Sequence, residues 1–404
     1  MFELSYTTTR VLEMVRRFID DAIIPVEQEY FGAINESNRW HQSLRQREIL
    51  TQLKLGAQHL GLWNFFLTEG EHGSGLSTVD YAFIAEETGH SLLAAEIFNC
   101  SAPDTGNMEV LAKYGSKQQK QRWLEPLLGG HIRSAYAMTE PDVASSDATN
   151  IKMSAELQGD QWCINGEKTW ISGAGDARCK VLICMVKTNP DAPRHCQHSQ
   201  ILVPMDTPGV AIVRPMQVFG RDDAPHGHMQ LKLTNVLVPE DHIIGGPGRG
   251  FEIAQGRLGA GRIHHVMRAI GMAEKALGLM CERSVSRQAF GKPLAKLGGN
   301  YDRIAEARIQ IDMARLLTLQ TAHVIDTKGV QSAKVWISKV KDTVPRIALK
   351  VIDDAIQMHG AAGLSQDFPL AEMYMNARTL RLADGPDEVH RMVVARAELG
   401  KIKE

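Results

Sequence analysis

The sequence predicts an α+β chain built in three zones: helical, then strand-rich, then helical again. Three observations carry this. Up to about residue 130, apolar residues recur at helical spacing. Between about 134 and 245 the period shortens towards two. Beyond the glycine-rich loop from Gly245 to Phe251 helical spacing returns and lasts to the end. The expected boundaries are 1–133, 134–245 and 246–404.

In the first zone, Ile49 to Leu55 and Val79 to Glu87 show the helical pattern, and Pro25 and the stretch Glu69 to Gly75 punctuate it. In the second zone, Gln161 to Ile164 followed by Asn165-Gly166 predicts a hairpin turn. Val181 to Val186 and Gln200 to Val203 read as buried strands, and Val210 to Val213 and Met229 to Leu233 extend the set. In the third zone, Ile263 to Ser286, Tyr301 to Thr327 and Ala333 to Met358 read as long helices, and Val389 to Leu399 as the last. Pro345 predicts an irregularity in the third of these.

Composition excludes several function classes. The 404 residues hold 45 basic and 47 acidic side chains, so no nucleic-acid or membrane-surface field is expected. No apolar run approaches the ~20 residues a membrane helix needs. The N-terminus carries an acid at Glu3 and lacks an apolar signal core, so a cytoplasmic location is expected. The six cysteines fit no zinc spacing, and His226, His228, His264 and His265 form pairs without a third ligand. No metal site is expected.

Five segments carry chemistry. The loop Tyr136 to Asp147 gathers hydroxyls and backbone amides that suit a polar ring edge or a phosphate, or serve a plain connector. Trp170 and Ser172 alternate on one strand face, which suits a flat aromatic cofactor or a core indole beside a turn. Arg287 to Pro293 ends a helix with cations, as a dipole cap or as a phosphate clamp beside Phe290. Gln357 to Gly363 closes another helix with small residues, where a backbone or a pyrophosphate can approach closely. It is not a dinucleotide fingerprint, because no strand precedes it and G-x-G-x-x-G is absent. Finally, Asp384 stands before Gly385-Pro386 at a break between helical patterns, as a solvated turn acid or as a carboxylate reaching into a cavity.

Taken together, in this order, these segments resemble the acyl-CoA dehydrogenase family from about residue 7 to the C-terminus. The wording Met138 to Asn150 resembles most the subfamily that in animals is fused to a kinase-like domain. The resemblance implies an N-terminal all-α domain, a middle β-barrel-like domain and a C-terminal four-helix bundle. It implies FAD, a homotetramer built as a dimer of dimers, and an electron-transfer flavoprotein as acceptor. By position, Tyr136, Met138, Thr139, Ser145, Trp170 and Ser172 would contact the flavin side of the cofactor. Arg287, Phe290, Gln357, His359 and Gly360 would hold its adenosine and pyrophosphate part, with Pro386 and Glu388 as further cofactor contacts. Ser146, Arg262, Gly385 and Arg396 would lie on the acyl-CoA side.

Asp384 falls where many members carry a catalytic Glu. The implied reaction is α,β-dehydrogenation of an acyl-CoA, with Asp384 as α-proton base in an apolar cavity that would raise its pKa. The flavin would take the β-hydrogen as hydride. Asp is one methylene shorter than Glu. Gly261 leaves no rival carboxylate at the family's other base position, and Pro386 removes an N–H. Ala383 and the segment Ser101 to Gly106 are small, so medium-to-long or branched acyl chains are expected. An oxidase, an elimination on a substituted acyl-CoA, and a flavin-free binding scaffold are the alternatives.

Overall fold

The computed structural model describes residues 4–402 except 69, so the first three residues and Glu69 of the glycine-rich stretch lie outside the described part. Two compact units emerge. One combines residues 1–25, 73–96 and 259–404 and is helical; the other combines 26–72 and 97–258 and carries the sheet. No described helix is long and apolar enough to cross a membrane.

In the helical unit, Tyr6–Phe18 starts at Ser5, whose hydroxyl accepts from the Thr8 amide at 3.0 Å. Thr78–Thr88 starts at a capping box between Ser77 and Asp80. The C-terminal part holds Gly250–Ser286 from residue 259 onward, Asn300–Ser332, Lys334–His359, Leu370–Thr379 and Asp387–Gly400. Apolar side chains at helical spacing, among them Val266, Ala273, Met280, Ile311, Val344, Val351 and Met373, form one buried core. Lys334–His359 runs on through Pro345, which is buried in that core's helix; its missing N–H costs one ladder bond without ending the helix. Asn300–Ser332 is two helices joined at Gly329, whose φ of 77° breaks the spiral.

Two glycines set the tightest helix contact of this unit. A Cβ on Gly271 would stand 1.8 Å from the Glu86 carbonyl oxygen and 2.9 Å from the Gly89 Cα. A Cβ on Gly89 would stand 2.2 Å from the Arg268 carbonyl oxygen. Backbone here meets backbone, so no side chain can yield.

Among the described residues the second unit contains seven strands: β1 (Arg133–Ala137), β2 (Ser154–Gln158), β3 (Gln161–Ser172), β4 (Cys179–Lys187), β5 (His198–Pro204), β6 (Val210–Met216) and β7 (His228–Pro239). They run in the order β1-β4-β2-β3-β7-β6, with β5 pairing β4. One face is packed with Ala135, Ile164, Ile171, Leu182, Val203, Leu231 and Val236. The hairpin expected at Asn165-Gly166 is elsewhere. The β2–β3 turn is at Gly159-Asp160, and β3 passes straight through Asn165-Gly166. Gly166 is a bulge: its φ is 146°, the β3–β7 register shifts there, and a Cβ would press on Met153 at 3.0 Å. Asn165 spends its side-chain oxygen on the Asn235 amide of β7 rather than on its own turn.

A buried ion pair fixes the connector after β1. The fully buried Lys168 ammonium donates to Glu140, to the Met138 carbonyl and to the Met185 carbonyl. The Glu140 carboxylate also accepts from the amides of Lys152 and Met153, both at 2.8 Å. Burial pulls the Lys168 pKa down, and the Glu140 charge opposes this. Every donor is used, so the connector is held as one body.

Two outcomes follow. Gly271→Ala should destabilise the helical unit by about 3 kcal/mol or more, while Gly278→Ala, whose Cβ meets nothing within 4 Å, should be neutral or slightly stabilising; thermal melts compare them. Lys168→Met should cost about 3–5 kcal/mol by stranding the Glu140 charge, and adding Glu140→Gln should recover part of it in urea unfolding.

Candidate active site

In the helical unit, the chain leaves Leu370–Thr379 through a short turn and enters Asp387–Gly400 with Pro386 as the cap. Asp384 stands in this turn with φ 55°, a left-handed conformation that Asp tolerates better than most residues, and Gly385 follows at φ 104°. Arg262 donates from Nε to the Asp384 carbonyl oxygen at 2.8 Å. That bond takes up the carbonyl that the turn exposes. The Asp384 carboxylate then lies back on the helix that bears Arg262. Oδ2 is 3.7 Å from where a Gly261 side chain would begin and 3.6 Å from His265 Nε2. Gly261 and His265 are four apart, so they share one helix face.

The surroundings of this acid are cationic rather than the apolar cavity expected from the sequence. The cations Arg262 and Lys341 and the His265 imidazole face it. The Lys341 ammonium is buried and donates to the Leu380 carbonyl; burial pulls its pKa down to about 8, while the Asp384 charge opposes this. His390, buried beneath Gly385, is pushed down to about 4 by burial and by the neighbouring Arg262 and Lys341 charges. The Asp384 side chain itself keeps 19% of its surface exposed.

The same unit holds the helix-end segments. Ser286 ends its helix, and Gln288-Ala289 pairs Lys292-Pro293 across a tight hairpin. Phe290 and Gly291 form the turn with φ 49° and 71°, which puts the Phe290 ring 95% in the open. Arg287 is exposed at its base. Lys334–His359 stops at Gly360, φ 65°, with Gln357 and Gly360 exposed. His359 is buried instead: its Nδ1–H donates to the Ala355 carbonyl at 2.7 Å and its ring packs on Phe368. Glu388 and Arg396 are exposed on the last helix.

In the sheet unit, Met138 and Thr139 leave β1 on the connector that Lys168 locks, and the Thr139 carbonyl accepts from the Thr169 amide at 2.8 Å. Tyr136 is fixed from two sides. Its hydroxyl accepts from Gln200 at 2.9 Å, and the Arg257 guanidinium sits 3.8 Å over its ring. Ser145 turns inward to accept from the Glu140 amide at 2.9 Å, whereas Ser146 is exposed. Trp170 has φ 57°, and the β3–β7 register slips beside it. The indole therefore stays 45% exposed at the strand end. Trp170 and Ser172 meet on one partner, His228. The Trp170 ring lies 5.9 Å from the His228 ring, and Ser172 Oγ lies 2.8 Å from His228 Nδ1. Burial lowers the His228 pKa, so the ring is neutral.

The segment Ser101 to Gly106 is more committed than its small residues suggest. Asp104 binds Arg133 at 2.6 Å and the Ser134 amide at 2.7 Å. The space beside Gly106 is taken by Arg257, 3.1 Å from where a Cβ would lie.

Sequence reasoning missed His265, Lys341, His228 and the Glu140–Lys168 pair. His265 was legible: it stands four residues after Gly261, on the face already singled out. His228 was not, because its role depends on the cross-strand register Ser172↔His228.

Comparisons with known proteins agree with this layout. Residues 6–131 match the acyl-CoA dehydrogenase N-terminal domain, 135–234 the middle domain and 248–399 the C-terminal domain. Acyl-CoA dehydrogenase family member 10 of Mus musculus is 51% identical over 98% of this chain, which covers 37% of that relative. FadE2 of Mycobacterium tuberculosis, named for the same family, is 53% identical over 88% of this chain and 86% of its own length. A solved structure of the family from Mycobacterium abscessus superposes with TM-score 0.95 at 52% identity, covering 99% of this chain and all of the other. The chain spans between a third and about half the length of the mouse relatives it matches, 37% and 51%. Three consecutive domain matches and identities above one half establish that the chain belongs to the acyl-CoA dehydrogenase family, whose cofactor is FAD.

Proposed function

We propose that the chain catalyses α,β-dehydrogenation of a medium-to-long or branched acyl-CoA to the trans-2-enoyl-CoA, with Asp384 as the base. One observation carries the reading. Asp384 is held by its main chain to Arg262, in a left-handed turn, with a partly exposed carboxylate in a cationic setting. The clasp fixes the main chain, so the carboxylate is presented from a rigid turn.

The residues present fit a flavin. The half-exposed, left-handed Trp170 offers an aromatic face, and Ser172 offers a hydroxyl whose direction His228 fixes. Met138 and Thr139 offer edges on a connector locked by Lys168. FAD, when bound, accepts the β-hydrogen as hydride. Arg287, the exposed Phe290 and the Gln357–Gly360 helix end, with His359 in it, would hold its adenosine and pyrophosphate part. Tyr136, Ser145, Pro386 and Glu388 complete the cofactor set, Ser145 by shaping the loop.

On the substrate side, Arg262, Ser146, Gly385 and Arg396 would bind the CoA thioester. The Gly385 region supplies main-chain groups for the thioester carbonyl, which stabilises the charge that develops as Asp384 withdraws the α-proton. Ala383, small beside the base, would leave room for an acyl chain longer than butyryl. The three segments 1–133, 134–245 and 246–404 would act as one catalytic subunit of a homotetramer that passes electrons to an electron-transfer flavoprotein.

The protein should purify yellow and bleach on anaerobic addition of its acyl-CoA. Asp384→Asn should stay yellow and bleach about a hundredfold or more slowly. Parental bleaching by that variant would remove Asp384 from the role of base. In a series of straight and branched acyl-CoAs, the fastest bleaching should come above four carbons; a maximum at butyryl-CoA would refute the chain-length reading.

A further inference from the structure

His264 and His265 are adjacent, yet the structure gives them opposite settings. His264 is buried, its ring edge-on to Tyr81, and burial, with the nearby Arg268 charge, pushes it down to about 3. It is a neutral core histidine. His265 is partly exposed, and its Nε2 stands 3.6 Å from Asp384 Oδ2. On the other side of the ring, Arg268 Nη2 lies 3.3 Å from His265 Nδ1. A guanidinium only donates, so Nδ1 of the neutral ring must accept. The ring proton is then on Nε2, the atom that faces Asp384.

We infer that His265 is a positioning residue for Asp384: Arg268 sets its tautomer, and its Nε2–H holds the carboxylate ionised and turned towards the Gly261 face. This rests on the reading of Asp384 as the α-proton base. At 3.6 Å the contact is longer than a direct hydrogen bond, and a small rotation of either side chain closes it. Such bonds commonly tighten only when substrate is bound. A Cβ at Gly261 would stand 3.7 Å from Oδ2, an ordinary contact, so the carboxylate rests directly over this low point of the helix face. Other groups facing Asp384 include Arg262 on the same helix, Lys341 on Lys334–His359 and His390 on the last helix, with Asp387 beside Lys341. Arg262 is committed to the main-chain carbonyl of Asp384 and Lys341 to that of Leu380. His265 Nε2 is placed 3.6 Å from a carboxylate oxygen itself.

The sign follows from the donor. An N–H given to a carboxylate favours its charged form and lowers its pKa. Proton abstraction needs the carboxylate, so the rate falls as pH drops through the Asp384 pKa. Loss of the donor moves that acid limb to higher pH.

The test uses the flavin-loaded enzyme and stopped-flow bleaching by an acyl-CoA across pH. His265→Leu should move the acid limb up by about one unit, a tenfold loss on the acid side with little change on the alkaline side. His265→Gln, which keeps a donor, should stay close to the parent, and His265→Phe serves as a second removal variant if the Leu variant does not fold. A second readout needs neither substrate nor flavin. The Asp384 carboxyl stretch, obtained as the infrared difference between each protein and its Asp384→Asn counterpart, should titrate with the same displacement. The inference is overturned if both removal variants superimpose on the parent in the two titrations, or if His265→Gln shifts as far as His265→Leu. The reading of the base fails separately, if Asp384→Asn bleaches at the parental rate.

Discussion

The bond from Arg262 to the main-chain carbonyl of Asp384 is the interaction on which the helical part of the site depends. A turn between two helices has freed carbonyls and a mobile acid unless something takes them up. Here one guanidinium, itself carried by the longest helix, ties the turn to a rigid support. The left-handed conformation of Asp384 is tolerable because the next residue is glycine and the turn is closed by Pro386 at the start of the last helix. Fixing the main chain leaves the carboxylate as the one part of the residue that can move, and Gly261 marks where it goes.

The sheet unit follows the same logic with a different device. The groups that suit a flavin edge are not on regular strand. They are on the connector after β1 and at the slipped end of β3, where the backbone is free to present atoms outward. Such segments need external support, and the buried Lys168 supplies it by collecting the Met138 carbonyl, the Met185 carbonyl and the Glu140 carboxylate on one ammonium. His228 does the equivalent for Ser172. Both supports come from neighbouring strands, so the site's precision derives from the sheet rather than from the loop.

Periodicity made the three zones legible, because helices and strands bury their faces at different spacings. Asn165-Gly166 misled, since a bulge and a hairpin turn ask for the same permissive residues and only the partner strand distinguishes them. Asp384, Trp170 and the Phe290-Gly291 turn were legible as chemistry, but not as geometry: each has a positive φ at a non-glycine residue. The cationic setting of Asp384 was hidden because Lys341 reaches it from another helix, whereas His265 could have been placed by counting four residues from Gly261.

The central claim, that Asp384 removes the proton beside a thioester, is tested most directly by hydrogen exchange at that carbon. An acyl-CoA incubated with the protein in heavy water should acquire deuterium at the α-carbon, and Asp384→Asn should leave it unlabelled. Undiminished labelling by the variant would contradict the account.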